Sequence, residues 1–225
     1  MKRGKFVVFE GVEGCGKTTQ LRRSHQWLIE SGWLARLQSQ DAIGQVITTR
    51  EPGGTDLGKT LRQLLLTQTA SALSDRAELL LYAADRSQHV ESLLRPQLAA
   101  GGLVLCDRYT DSTVAYQGHG RGLDLSLIAH LNQIATEGLT SDLTLWLDLD
   151  AATGLSRTRQ RGASDRIEQA DLAFHQRVQQ GFGELAAKHP DRIVRIDAAQ
   201  PEEAVAEQIQ AVLTQRFQMW LEAAS

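Results

Sequence analysis

Apolar residues in this chain gather in short unbroken runs rather than alternating with polar ones. Phe6–Phe9, Leu103–Cys106, Leu143–Leu149 and Ile193–Ile196 have this character, broken only by Thr144, Asp148 and Arg195. Unbroken apolar runs are what parallel strands need when helices cover both faces of their sheet. Gln45–Thr49 reads as a fifth strand, whereas Leu34–Gly44 before it has no clear period. Helical periodicity is found over Lys17–Glu30, Thr55–Leu66, Ser74–Ala100, Asp124–Thr136, Ala151–Arg161, Asp171–Lys188 and Pro201–Leu221. The last carries Val205, Ile209, Val212 and Leu213 on one stripe, so it packs on the body. Alternating strand and helix predict right-handed crossovers and an α/β fold: a doubly wound five-stranded parallel sheet with helices on both faces. No repeat, low-complexity tract or linker divides residues 1–225, which are read as a single domain.

Charge and composition narrow the function. With 24 Lys+Arg against 27 Asp+Glu the net charge is −3, which does not support a broad nucleic-acid-coating surface. Apolar residues at 42% and charged residues at 23% exclude wholesale disorder. Cys15 and Cys106 cannot build a disulfide framework, which fits a reducing compartment and a cytoplasmic location. No apolar run approaches the roughly 18–20 residues of a membrane span, so no membrane partner is expected. Lys2, Arg3 and Lys5 precede only four apolar residues before Glu10, too few for a signal peptide. The histidines lack an i, i+4 ligand spacing, which argues against structural zinc.

The sharpest signal is Gly11-Val12-Glu13-Gly14-Cys15-Gly16-Lys17-Thr18, which satisfies G-x-x-x-x-G-K-[ST]. It follows a predicted strand and opens a predicted helix, the context a phosphate-binding P-loop requires. Gly11, Gly14 and Gly16 let backbone N–H groups turn inward around a phosphate, and the helix that follows adds its positive end. Lys17 reaches the β- and γ-phosphates, and Thr18 offers its hydroxyl to Mg²⁺. The bland alternative is a glycine-rich turn with an ordinary first-turn lysine, which the strand–helix frame disfavours. A P-loop alone fits kinases, GTPases, motors and transporters. The G-protein tetrapeptide N-K-x-D and the transporter signature L-S-G-G-Q are both absent from the sequence.

Three further segments follow strands: Thr49–Thr55, Asp107–Gly118 and the arginine-dense Arg157–Arg166. Ligands of open parallel sheets sit beyond the strands' carboxyl ends, where these loops converge. The planar forks of Arg50 and Arg108 suit a second phosphate group, although each alone reads as a solvated loop charge. With these pieces in view the chain resembles the thymidylate kinase family, specifically the bacterial subgroup with lid arginines. The resemblance is carried by Phe9–Thr19, Thr49–Thr55, Leu79–Arg86, Asp107–Leu123, Leu143–Leu149 and Arg161–Glu168, in order along nearly the whole chain. It implies a P-loop NTPase fold with a mobile lid at about 157–171. It also implies transfer of the γ-phosphoryl of ATP to dTMP, giving dTDP and ADP for dTTP synthesis, with Mg²⁺ as cofactor and a homodimer as assembly.

The same resemblance assigns residues. ATP would be held by the loop from Gly11 through Thr19, and dTMP by Glu13, Arg50, Pro52, Tyr82, Arg86, Arg108, Thr113, Tyr116 and Gln117. Tyr82 is the ring stacked on thymine and Arg86 its hydrogen-bonding partner. Thr113 and Gln117 contact the base, Tyr116 crowds C2′, and Glu13 meets the sugar 3′-hydroxyl. The catalytic set is Lys17, Arg108 and a lid arginine; Arg161 is preferred and Arg166 is next, because the P-loop has no arginine of its own. Thr18 and Asp107 are the metal candidates, with Asp148 the competing carboxylate. Gly154 and Gly162 are read as hinges of the lid. Cys15, at a helix N-terminus, is a candidate for alkylation that ATP would block. A kinase for another monophosphate and a nucleotide-switched binding protein remain open; dUMP is expected to be a weak second substrate.

Overall fold

A computed structural model describes residues 4–40, 42–67, 73–162 and 165–222, and of Arg161 the backbone alone. Five strands run β1 (Lys5–Glu10), β2 (Val46–Arg50), β3 (Leu103–Asp107), β4 (Leu143–Asp148) and β5 (Ile193–Asp197). They form one sheet in the order β2-β3-β1-β4-β5, and every pairing is parallel. The chain moves outward to β2 and β3 on one side of β1 and then crosses to β4 and β5 on the other. That reversal opens a crevice beyond the carboxyl end of β1, where open α/β sheets bind ligands.

The unbroken apolar runs are explained by two cores, one on each face. Val7 and Phe9 of β1 join Leu103 and Leu105 of β3 on one side. Phe6, Val8, Val104 and Cys106 face the other. Side chains along a strand alternate in direction, so a strand buried on both faces has no polar positions. The helices are α1 (Lys17–Glu30), α2 (Trp33–Ser39), α3 (Asp56–Leu66), α4 (Asp75–His89), α5 (Arg95–Ala99), α6 (Thr110–Thr113), α7 (Leu125–Thr136), α8 (Ala151–Arg161), α9 (Leu172–Lys188) and α10 (Glu202–Glu222). On α10 the buried series is Val205, Ile209, Leu213, Phe217 and Leu221, an i, i+4 stripe that extends the predicted one. Among the described residues no helix is long and apolar enough to cross a membrane.

Several boundaries differ from the sequence reading. The aperiodic Leu34–Gly44 stretch is mostly α2, which buries only Leu37, too little to leave a hydrophobic stripe. β2 sits one residue later than predicted, because Arg50 pairs in register with Asp107. The predicted helix Ser74–Ala100 is α4 and α5 joined through a π-helical turn at Val90–Leu94, and a second π-helical segment, Val114–Gly120, extends α6. Such widened turns recur beside functional sites. The arginine-dense stretch is helical as far as Arg161.

Gly154 is not a hinge. It lies within α8, where a Cβ would collide with the Glu13 carbonyl oxygen, and Gly14 is matched against the Gly154 carbonyl in return. The P-loop and α8 therefore touch backbone to backbone through two glycines. Gly162 does cap α8 at φ 112°, with open space around it. We predict that Gly154→Ala lowers unfolding free energy by about 1–3 kcal/mol through this overpacking and weakens nucleotide binding. Urea denaturation and nucleotide titration of the same variant measure both; a variant as stable as wild type contradicts the packing account.

Candidate active site

The P-loop leaves β1 and enters α1. Gly11, Gly14 and Gly16 hold φ values of 145°, 70° and 93°, a region that side chains rarely adopt. Residues that cap other helices with side chains include Thr55, Ser74, Asp124, Asp150 and Asp171, but α1 starts from Gly16 with none. Its first-turn N–H groups thus point at the cleft without a side-chain acceptor, the arrangement that receives an anion. The Lys17 ammonium donates to the carbonyls of Gly11 at 3.0 Å and Val12 at 2.8 Å, so it lies folded over the loop. Thr18 donates its hydroxyl to Asp107 at 2.6 Å, joining the first turn of α1 to the end of β3. Asp148 is otherwise engaged, accepting from Gln179 and Arg195 at the sheet edge. Val12 and Cys15 are buried in the core rather than lining the cleft. The Cys15 residue is only 3% exposed, which argues against the slow, ATP-protected alkylation expected from its place at a helix N-terminus.

Arg108 links the two halves of the site. Its backbone is held at φ 74°, a strained value for a residue with a side chain. The guanidinium donates to Glu13 at 2.6 Å, to the Gly11 carbonyl at 3.1 Å and to Ser112 at 3.1 Å, and lies over the Tyr116 ring at 4.8 Å. The Tyr116 hydroxyl donates to the same Glu13 oxygen at 2.9 Å. Burial opposes the Glu13 charge, but Arg108, Lys17 and the Tyr116 hydroxyl outweigh it and hold the carboxyl down at about 2. Its Oε2 has no partner among the described residues. Beneath, the fully buried Glu10 accepts from the N–H groups of Tyr109 and Ser112 and from the Ser112 hydroxyl, which anchors the turn that carries Arg108. Burial, with Asp111 nearby, pushes the Glu10 carboxyl up to about 7.

Arg86 lies deeper, 2% exposed. It donates to Glu51 at 2.8 Å, Thr113 at 2.8 Å, Asn132 at 2.8 Å and the Tyr109 carbonyl at 2.9 Å. Glu51 also meets His89 at 2.8 Å, and His89 in turn meets Thr49. Buried carboxylates of this kind, Glu10 and Glu51, are the functional supports that the sequence reading missed. Glu51 sits beside the singled-out Arg50, but only burial reveals that it faces inward. A second omission is Arg62 of α3, which donates to the Pro52 carbonyl at 3.0 Å and lines the cleft beside Arg50. Burial and the neighbouring Arg50 lower its pKa. Neither Arg50 nor Arg62 has a carboxylate partner among the described residues, so the cleft presents two uncompensated guanidinium groups, a setting that calls for an anion.

One cleft of about 380 Å³ unites these parts. The P-loop residues Glu13, Gly14, Gly16, Lys17, Thr18 and Thr19 line one arm, and Arg50, Pro52, Tyr82, Arg86, Arg108, Thr113, Tyr116 and Gln117 line the other, with Asp107 between. Gly11 supplies carbonyl contacts from behind rather than lining it. From the segment after α8 come Asp165, Ile167 and Glu168. Arg166 does not face the P-loop: its Nε donates to the Leu65 carbonyl at 2.9 Å and its Nη2 lies 2.5 Å from Glu78. Arg157 and Arg159 are exposed on α8, and the Arg161 side chain lies outside the described residues.

The family model described as Thymidylate kinase matches residues 9–209. Thymidylate kinase of Cyanothece sp. is 61% identical, over 97% of this chain and 97% of that protein. Thymidylate kinase of Acaryochloris marina is 58% identical, over 96% of this chain and 98% of that protein. The crystal structure of thymidylate kinase from Ehrlichia chaffeensis aligns with a TM-score of 0.73 at 32% identity, covering 94% of this chain and 99% of that one. On this evidence the chain belongs to the thymidylate kinase family.

Proposed function

We propose that the two arms of the cleft hold ATP and dTMP at once, the triphosphate on Gly11–Thr19 and the acceptor nucleotide against Tyr82, Arg86, Arg108, Thr113, Tyr116 and Gln117. The reaction is ATP-dependent phosphorylation of dTMP to dTDP. The observation that carries the site assignment is the single cleft that runs from an uncapped helix N-terminus to a cluster of guanidinium groups. Amides and Lys17 bind the donor, while Arg50, Arg62 and Arg108 surround the acceptor phosphate.

The acceptor oxygen is already anionic, so no strong general base is required. The work of the site is then alignment of two anions and neutralisation of the charge between them. Arg108 starts from an ion pair with Glu13 and keeps its orientation when a phosphate arrives, since Ser112 and the Gly11 carbonyl hold the same nitrogen. The free Oε2 of Glu13 accepts a sugar hydroxyl, a neutral partner that a carboxylate among phosphates tolerates. Tyr116, packed edge-on against Phe174 and Phe182, is too constrained to yield space to a ribose 2′-hydroxyl. Thr18 and Asp107 present hard oxygen donors 2.6 Å apart, a set that fits Mg²⁺ and would hold it beside the P-loop. When bound, the ion would supply neutralisation of the negative charge on the transferred phosphoryl group. Assignment to the cytoplasm follows the free, buried thiols of Cys15 and Cys106.

A homodimer is proposed on the face formed by α3, α4 and α7. These helices are neighbours, and Leu57, Leu64, Leu80, Leu127 and Ile134 project from them at 43–72% exposure. An apolar patch of that kind marks an association surface. Sedimentation equilibrium is expected to return twice the chain mass, falling to one chain mass in Leu80→Lys; a monomeric wild type contradicts the assignment.

ADP release measured across dTMP, dUMP, dCMP, dGMP and AMP tests the central reading. dTMP is expected to be preferred, with dUMP weaker by the roughly 10–200-fold that one missing methyl permits. ATP hydrolysis that no monophosphate stimulates contradicts it. The lid arginine at the transferring phosphoryl is assigned to Arg161, because Arg157 and Arg159 face solvent and Arg166 is held by Glu78. Arg161→Ala is expected to lower kcat by about 10³ or more with nucleotide affinity nearly unchanged. An intact kcat rejects that role.

A further inference from the structure

Glu78 stands one helical turn before Tyr82 on α4 and is fully buried. Its Oε1 accepts from Gln117 Nε2 at 2.7 Å. Arg121 reaches both of its oxygens, at 3.4 and 3.2 Å, and Arg166 of the lid lies 2.5 Å from Oε2. Asp75 also faces Arg121, at 3.5 Å. A carboxylate between two guanidinium groups is an acceptor only. Gln117 must therefore turn its NH₂ toward Glu78, which sends its carbonyl oxygen the other way. That Oε1 has no partner among the described residues, and the side chain lines the cleft beside Arg86 and Thr113. Arg86 meanwhile donates four of its five N–H groups, to Glu51, Thr113, Asn132 and the Tyr109 carbonyl. One Nη2 hydrogen is left over.

We propose that Glu78 is a specificity-determining positioning residue, which fixes the Gln117 amide so that the pocket offers an acceptor beside the Arg86 donor. That pair complements the imide edge of thymine, with its N3–H donor and O4 acceptor. Cytosine presents the reverse, a bare N3 and an N4 amine, and would set acceptor against acceptor and donor against donor. A site built to pair a polar edge rejects the wrong one strongly, because its buried groups are left unpaired. Without Glu78 the amide is free to rotate by half a turn and meet either edge. Uracil shares the imide edge, so this device does not separate dTMP from dUMP. The inference rests on the reading that the acceptor base lies against Arg86 and Gln117.

The test compares dTMP with 5-methyl-dCMP, which keeps the methyl group and ring size and changes the edge alone. kcat/KM for each is measured in wild type and Glu78→Gln, or Ki against dTMP where 5-methyl-dCMP is not turned over. The preference for dTMP is expected to fall roughly tenfold in the variant, with 5-methyl-dCMP gaining relative to dTMP. A fall greater than about threefold supports the proposal, and any smaller change, including equal losses for both nucleotides, overturns it. If Glu78→Gln does not fold, Glu78→Asp withdraws the carboxylate from Gln117 while keeping the charge that Arg121 and Arg166 face. A wild type that phosphorylates no dTMP would refute the parent reading. A wild type that discriminates strongly, with variants that discriminate equally, refutes the role of Glu78 alone.

Discussion

The contact between Glu13 and Arg108 ties together the parts on which this site depends. Glu13 belongs to the loop after β1 and Arg108 to the turn after β3, so their ion pair at 2.6 Å locks the P-loop arm of the cleft to the opposite arm. Both groups are largely withdrawn from water, and breaking such a pair by removing one partner leaves an uncompensated buried charge, at about 3–5 kcal/mol. The strained backbone at Arg108 persists because the surroundings over-determine it: its N–H bonds the Phe9 carbonyl, and Glu10 grips the next turn. Geometry essential to the chemistry is thus held by carboxylates that do no chemistry themselves.

A second regularity follows. In the proposed reading Arg86, at the base, and Arg108, at the acceptor phosphate, are each paired with a carboxylate, Arg86 with Glu51 and Arg108 with Glu13. Arg50 and Arg62, which flank the acceptor phosphate in the proposed reading, have none among the described residues. Paired guanidinium groups keep fixed directions and read shape and hydrogen-bonding pattern. Uncompensated ones leave their charge to be satisfied by an incoming phosphate. Arg166, in the segment after α8, follows the first pattern, because it reaches the Glu78 that also holds Gln117. In the proposed reading, base recognition and the placement of Arg166 therefore share one carboxylate.

Much of this was legible in the sequence. The P-loop was readable because its glycines, lysine and threonine are adjacent and each is demanded by local backbone geometry. The strands were readable because burial on both faces leaves no polar positions, and Phe6 and Val7 serve different cores through simple alternation. Pieces that failed had no local signature. α2 buries a single leucine, the π-helical turns shift hydrogen bonds by one residue without changing composition, and Gly154 looks like a hinge until Glu13 is found against it.

The sequence by itself determined the fold class, the phosphate cradle and the family, since these rest on contiguous residues and on periodicity. Tertiary structure alone decided which charges meet. Glu10, Glu51 and Glu78 are indistinguishable from surface carboxylates as letters, yet each is buried and each orients a residue of the site. Partners such as Glu78 and Gln117 lie 39 positions apart, and only packing of α4 against the segment after β3 brings them together. Local sequence carries propensity and period; the pairing of distant charges is a property of the folded chain.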